Sequence, residues 1–346
     1  MAPPSRALRK IWPMTAEVLC TLDLPDPFPG MVSAAAALRS LGRLPGHDGL
    51  CAELREHPVD VLCPQLRDPI DAAVMDAGLP RLRCVSAYAV GYDNIDIDAA
   101  TARGIVVGHT PGVLTDAVAD CTLGLILAAG RRLCEGDREV RAGRYHGWEP
   151  TYLLGLELRD ALLGLVGFGR IGQAVARRAL AFSMRIAYFD TTNPVIAADL
   201  SDQVTSMSFD QLLRESDVIS LHTPLTPETH HLIDETALRS MKPSAVLVNT
   251  ARGPVIDEAA LVHALREGWI GAAGIDVYER EPALAPGLAE CANAVLAPHL
   301  GSATVRTRAA MAELCASNAV AALQGTLPPH CVNPQAWAGG APSPAG

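Results

Sequence analysis

Short apolar runs alternate along the chain with longer segments whose apolar residues recur at helical spacing. In the first third, the runs predict four strands, at residues 17–22, 59–63, 82–88 and 104–108. Helices are predicted between them at 33–40 and 69–77. Strands that alternate with helices are typical of α/β folds with parallel sheets.

A second alternating series follows the first. A long apolar helix is predicted over 116–132, and the polar and aromatic stretch 133–156 is predicted to be an extended excursion. Six further strands are predicted, at 162–166, 185–190, 218–222, 245–249, 271–277 and 294–297. Three helices are predicted in this series: one that follows strand 162–166 and ends at residue 180, one at 258–267 and one at 303–324. The two series predict two doubly wound, parallel-sheet α/β lobes, followed by a mobile Pro-, Ala- and Gly-rich tail at 331–346.

Composition narrows the possible functions. The 346 residues are enough for two or three domains, and 49% of them are hydrophobic. A formal net charge of -10 disfavours a nucleic-acid partner. Lys10 and Lys242 are the only lysines, which excludes a P-loop and most Schiff-base chemistry.

The apolar runs, the N-terminal residues and the cysteines indicate the cellular compartment of the protein. No apolar run reaches the roughly 18 residues of a membrane span, so no membrane partner is expected. The first 14 residues are basic without a secretory apolar core, which favours the cytoplasm and leaves a short organellar presequence open. Nine scattered cysteines without a Cys-x-x-Cys pair indicate reduced, mostly buried thiols and no metal site.

The most informative segment carries three glycines after an apolar strand. Gly167, Gly169 and Gly172 form G-x-G-x-x-G and open a helix that begins with Arg170 and Ile171. The first glycine allows a tight turn, the second lets backbone approach a pyrophosphate, and the third lets the helix pack against the strand. The N–H groups at the start of the helix favour phosphate. The segment therefore predicts a dinucleotide-binding (Rossmann) domain.

Asp190 ends the next strand, 23 residues after Gly167, close to the roughly 20 expected of this motif. Its carboxylate can accept hydrogen bonds from ribose hydroxyls and would repel a 2′-phosphate. No basic cluster follows Asp190, so NADH is expected over NADPH. The alternative is that Asp190 is only a turn residue.

Seven segments, in order, resemble the D-isomer-specific 2-hydroxyacid dehydrogenase family over roughly residues 55–330, most closely its glyoxylate/hydroxypyruvate reductase branch. They include SAYAVGYDNIDIDAATARGI, LLGLVGFGRIGQAVA, VNTARGPVIDEAALVHAL, GIDVYEREP and PHLGSAT. The resemblance implies a Rossmann cofactor domain (111–299) inserted into a discontinuous, flavodoxin-like substrate domain (1–110 and 300–330). It also implies NADH-dependent reduction of a small 2-oxo acid.

The resemblance assigns the reaction to three side chains. Arg252 corresponds to the family's carboxylate anchor, and its planar fork suits that role better than lysine. His299 corresponds to the proton donor, and Glu281 to the carboxylate that stabilises its imidazolium form. Lone arginines and histidines are more often structural, so these assignments depend on the motifs.

The same resemblance places the remaining contacts. Asp276 corresponds to the residue that orients the nicotinamide carboxamide, with a turn cap as the alternative role. Further cofactor contacts are expected at Thr115, His222, Thr223, Pro224, Thr250 and Ala251. Substrate contacts are expected at Leu66, Val90, Gly91, Arg252, His299 and Trp148.

Trp148 lies in the excursion before the cofactor fold, a region that in the family supports a homodimer. In such a homodimer, the resemblance implies that Trp148 approaches the pocket of the neighbouring subunit. The alternative is that Trp148 packs on its own chain. His109 stands where the family more often has asparagine.

Two rival functions stay open. Phosphite dehydrogenase shares the G-W-x-P feature but carries a lysine where this chain has Val90. NAD-sensing corepressors of the same fold retain the Arg, Glu and His set, so these residues do not separate them from enzymes. A formate dehydrogenase is disfavoured because those enzymes lack the acidic partner of the histidine.

Overall fold

The computed structural model describes residues 16–337. The first 14 residues, Lys10 among them, and residues 338–346 lie outside the described residues, as do the expectations for them. The described chain divides into two compact units, with boundaries after Val113 and after Thr307. These lie three and eight residues beyond the predicted boundaries at 110 and 299.

The first unit is built on five parallel strands with buried central members. They are β1 (Glu17–Cys20), β2 (Ala37–Ser40), β3 (Val61–Cys63), β4 (Cys84–Ser86) and β5 (Val106–Gly108). Helices α1 (Phe28–Ser33), α2 (Gly46–Glu56), α3 (Ala72–Gly78) and α4 (Ile97–Ala102) connect them. The strand order β2-β1-β3-β4-β5 is that of flavodoxin-like sheets. The predicted fold of this lobe is therefore confirmed.

The second unit is built on seven parallel strands. They are β6 (Leu162–Val166), β7 (Arg185–Phe189), β8 (Val204–Ser206), β9 (Val218–Leu221), β10 (Val246–Asn249), β11 (Ala272–Ile275) and β12 (Ala294–Leu296). The order β12-β11-β10-β9-β6-β7-β8 is the Rossmann order with one added edge strand. The predicted Rossmann lobe is confirmed.

Helices cover both faces of this second sheet, with a buried apolar cluster beneath each layer. They are α5 (Thr115–Gly130), α6 (Leu133–Arg141), α7 (Arg170–Ala181), α8 (Phe209–Glu215), α9 (Glu235–Ser240) and α10 (Glu258–Glu267). The last helix, α11 (Val305–Leu323), lies almost entirely in the first unit. Among residues 16–337, no helix has the length and hydropathy needed to cross a membrane. All nine cysteines are free thiols.

Two predicted elements are wrong in type. Residues 37–40 form strand β2, not the end of a helix, because they pair in parallel register with β1 at the sheet edge. That long-range pairing outweighs the helix propensity of an alanine-rich segment. Residues 133–141 form helix α6, not extended chain. The helix buries none of its side chains, and ion pairs such as Arg141 with Asp137 lie along it.

Residues 331–337, predicted to begin a mobile tail, instead pack into the first unit. The Asn333 side chain is fully buried and accepts a hydrogen bond from the Val107 N–H at 2.8 Å. It donates to the Ile105 carbonyl and to the Thr101 hydroxyl, each at 3.0 Å. The hydrogen bonds of this one side chain hold the segment beside β5, although the segment lacks apolar periodicity.

We therefore expect Asn333→Ala to destabilise the first unit by about 1–3 kcal/mol, the cost of leaving buried polar groups without partners. Urea denaturation of wild type, Asn333→Ala and the exposed-site control Gln324→Ala measures this difference. A variant as stable as the control would contradict this account of the segment.

Candidate active site

The glycine loop of the second unit leaves room for a ligand. Gly167 follows β6 with a φ of +90°, and a Cβ there would lie 2.7 Å from the His222 carbonyl oxygen. A Cβ on Gly172 would lie 2.4 Å from the Gly167 carbonyl oxygen, so α7 packs close to the loop. A Cβ on Gly169 would meet no described atom within 4 Å. The loop, with Arg170 and Ile171 opening α7, thus has the shape and free backbone donors that a pyrophosphate needs.

Asp190 follows β7 and holds the same loop. Its carboxylate accepts hydrogen bonds from the Phe168 N–H and from the N–H and hydroxyl of Thr192, at 2.7–2.8 Å. Burial raises the pKa of Asp190, but these donors outweigh it and hold the pKa below its ordinary value. The carboxylate is therefore negative at neutral pH, and residues 191–195 contain no arginine or lysine to neutralise it.

The other expected cofactor contacts lie mostly at one edge of the second sheet. Residues 222–224, 250–251 and Asp276 follow β9, β10 and β11, which are adjacent parallel strands. The carboxyl ends of such strands share one edge, where ligands of open α/β sheets bind. Thr115 is the first residue of α5, a helix that packs against β10 and β11.

A tight turn after β10 carries Arg252. The buried Asn249 accepts a hydrogen bond from the Ala251 N–H at 2.9 Å and donates to the Arg252 carbonyl at 2.8 Å. A Cβ on Gly253 would lie 1.9 Å from the carbonyl carbon of Tyr278, so only glycine fits there. This close approach sets the Arg252 turn against the loop that carries Glu281.

Glu281 and His299 form a direct pair. The His299 Nδ1 lies 3.0 Å from the Glu281 Oε2, and the Glu281 Oε1 accepts the Tyr278 N–H at 3.1 Å. Burial raises the pKa of Glu281, but the hydrogen bond to His299 and the charges of His299 and Arg252 outweigh it, so the pKa is lowered. The structure thus pairs two of the three predicted catalytic side chains, and the charge of Arg252 acts on the same carboxylate. His299 remains one-third exposed, and its Nε2 is not used in this pair.

Asp276 caps the loop that follows β12, which is the alternative role predicted for it. Its side chain is 1% exposed and accepts the N–H groups of Leu300 and Gly301 at 2.6 and 2.8 Å. Its main-chain carbonyl accepts the His299 N–H at 3.0 Å. Burial raises the pKa of Asp276, and the two N–H donors offset only part of that rise. Asp276 therefore holds the loop on which His299 adopts a φ of +56°.

The expected substrate contacts of the first unit follow its strands. Leu66 lies in the turn after β3 and is partly exposed, and Val90 and Gly91 lie in the loop after β4. The Nδ1 of His109 lies 2.9 Å from the Val90 carbonyl oxygen, and its ring meets Tyr92 edge-on. No motif in the sequence connects His109 with this loop.

Trp148 is 82% exposed, so the alternative in which it packs on its own chain is wrong. Tyr145 and Leu154, in the same segment, are 50% and 65% exposed.

Comparison with known proteins gives a consistent result. Residues 123–301 match the family model described as the D-isomer-specific 2-hydroxyacid dehydrogenase NAD-binding domain. The chain is 50% identical over 295 residues to a glyoxylate reductase of Thermofilum pendens, covering 84% of this chain and 85% of that protein. It is 51% identical over 280 residues to a glyoxylate reductase of Thermococcus onnurineus, covering 80% and 83%.

Solved structures agree with this result. The crystal structure of the TT0316 protein from Thermus thermophilus has a TM-score of 0.83 and 45% identity, covering 91% of this chain and 99% of that one. An NADPH-dependent glyoxylate/hydroxypyruvate reductase from Sinorhizobium meliloti, in complex with NADP and malonate, has a TM-score of 0.81 and 34% identity, covering 92% and 96%. With its NAD-binding domain matched by the family model, and half of the aligned residues identical to those of a relative over 84% of this chain, this chain belongs to the D-isomer-specific 2-hydroxyacid dehydrogenase family.

Proposed function

We propose that the protein reduces glyoxylate or hydroxypyruvate to the D-2-hydroxy acid, with NADH as the reductant. The observation that carries the proposal is the 3.0 Å pair of His299 and Glu281, with Arg252 close enough for its charge to lower the pKa of Glu281. A proton donor, its acidic partner and an anion anchor are the groups that reduction of a 2-oxo acid requires. Relatives named glyoxylate reductases support this substrate class.

Each side chain has a distinct task in this mechanism. The Arg252 guanidinium binds the substrate carboxylate. Val90 and Gly91, in the first unit, are proposed as further substrate contacts through their N–H groups. When bound, the nicotinamide cofactor supplies the hydride. The His299 Nε2 donates a proton to the carbonyl oxygen of the substrate while Glu281 stabilises the imidazolium through Nδ1. Leu66 limits the size of the substrate, and the absence of a cation at Val90 disfavours phosphite.

The residues present fit NADH. Gly167, Gly169 and Gly172 with the start of α7 would hold the pyrophosphate, and Asp190 would accept from the ribose hydroxyls. Residues 222–224, 250–251, Thr115 and Asp276 would complete the contacts, Asp276 toward the carboxamide. The charge of Asp190 disfavours a 2′-phosphate.

We further propose a homodimer that forms through the exposed aromatic segment around Trp148. The nine free thiols support a reducing compartment, the cytoplasm.

Steady-state assays of glyoxylate, hydroxypyruvate and pyruvate with NADH, and of phosphite with NAD⁺, test the function. We expect the highest kcat/KM on glyoxylate or hydroxypyruvate. Arg252→Ala should lower it by about 10²–10³-fold, because a paired charge contact in a binding site is worth about 2–5 kcal/mol. Arg239→Ala removes a guanidinium that stacks on Trp269 and serves as the unaffected control. Tight NADH binding without turnover on any oxo acid would favour the corepressor alternative instead.

Glu281→Gln should lower kcat/KM at neutral pH by about 10²-fold. The pKa of Glu281 is held below its ordinary value, so its carboxylate is ionised throughout the neutral range and is available as the charged partner of His299 there. The variant removes that charge from the proton donor, and positioned acid catalysis is worth about 10²–10⁴-fold. His299→Gln should lose most turnover while retaining NADH binding. An unchanged kcat/KM in Glu281→Gln would remove Glu281 from the mechanism.

The cofactor preference depends on the charge of Asp190. Wild type should show a higher kcat/KM for NADH than for NADPH. Asp190→Asn keeps an acceptor for the Phe168 N–H but loses the negative charge, so the NADH/NADPH ratio should fall by about 10–100-fold. The exposed Asp202→Asn in the same unit is the matched control. A wild type that prefers NADPH would refute the proposed cofactor.

A further inference from the structure

A second histidine cluster lies outside the groups assigned to catalysis and cofactor binding. His230, His231 and Glu279 each offer one ligand atom, and these atoms all lie within 4.8 Å of one another. His230 and His231 lie between β9 and α9, and Glu279 lies in the loop after β11. None of the three takes part in the proposed mechanism.

The donor set suits a late first-row divalent ion. The His231 Nε2 lies 2.9 Å from the Glu279 Oε1, and the two imidazole rings stack with their centroids 4.1 Å apart. Zinc binds imidazole and carboxylate at about 2.0–2.2 Å in tetrahedral geometry, which sets its ligand atoms roughly 3.3 Å apart. The separations within the cluster exceed that spacing by at most about 1.5 Å.

The main chain fixes the two segments that carry the donors. His231 adopts a φ of +50°, and its N–H donates to the Pro254 carbonyl at 2.8 Å. The Glu279 N–H donates to the buried Glu258 carboxylate at 2.8 Å. The donors are therefore held on a fixed backbone.

The groups around His231 also match those that usually surround a metal-binding histidine. The Asp257 Oδ2 lies 4.0 Å from the Nδ1 of His231, the ring nitrogen that does not face Glu279. Metal-binding histidines generally direct their second ring nitrogen toward a carboxylate, a carbonyl or water. The carboxylates of Asp257, Glu258 and Glu279 add negative charge that favours a cation.

We propose that His230, His231 and Glu279 bind one divalent transition-metal ion of the Zn²⁺ type, with water in the remaining coordination position. The absence of cysteine pairs predicted no metal site, but this cluster contains no cysteine. The ion would join the segment bonded to Pro254, two residues beyond Arg252, to the loop that leads to Glu281. Bound Zn²⁺ should therefore raise the thermal stability of the protein.

Titration of the full chain with Co²⁺ after chelator treatment tests the site, with Zn²⁺ as competitor and thermal unfolding as a second readout. Wild type should bind one equivalent with the visible absorption of a four-coordinate Co²⁺ ion. His230→Ala and Glu279→Gln should bind at least about 10–100-fold more weakly, since loss of even an outer partner costs that much. Both variants should also lose the stabilisation by Zn²⁺.

The matched control is His263→Ala, which also removes an exposed histidine with one aromatic neighbour, here Trp269. It should bind Co²⁺ as wild type does. Equal binding by all four proteins, the near-ultraviolet absorption of a cobalt–thiolate bond, or no binding by wild type at millimolar Co²⁺ would each overturn the proposal. The outcome does not depend on the enzymatic activity.

Discussion

The buried carboxylate of Asp276 holds the geometry on which the proposed chemistry depends. Taking a carboxylate out of water costs several kcal/mol unless donors satisfy it. Here the N–H groups of Leu300 and Gly301 do so, and the main-chain carbonyl of the same residue accepts the His299 N–H. A left-handed φ at a non-glycine residue costs about 1–3 kcal/mol and persists only where its surroundings enforce it. Asp276 provides that enforcement, and His299 faces Glu281 as a result.

Close backbone approach brings the remaining groups to the same sheet edge. Arg252, Asp276 and His299 are far apart in sequence, but they follow the neighbouring strands β10, β11 and β12. Gly253 lets the Arg252 turn pack on the main chain of Tyr278. Gly167 lets the glycine loop pack on the main chain of His222. A methyl group at either position would displace the loop next to it. Two glycines therefore set how closely the Arg252 turn and the glycine loop approach their neighbouring segments.

Local patterns predicted much of this molecule. The strand–glycine–helix unit and Asp190 identify the cofactor domain, and the motifs around Arg252, Glu281 and His299 carry the resemblance. What could not be predicted depends on contacts between distant residues. Residues 37–40 form a strand because β1 lies beside them, and Asn333 is ordered because it bonds to β5. The loop-holding contacts of Asp276 and the cluster of His230, His231 and Glu279 likewise appear only once separate segments meet.

A crystal structure of the protein with NADH and oxamate, an unreactive oxo-acid analogue, tests the proposed geometry of the site. We expect the oxamate carboxylate on the Arg252 guanidinium and its amide carbonyl oxygen within hydrogen-bond distance of the His299 Nε2. His299 should keep its left-handed backbone and its Nδ1 contact to Glu281. Oxamate bound without Arg252 and His299, or His299 turned away from Glu281 in that complex, would contradict the proposed geometry.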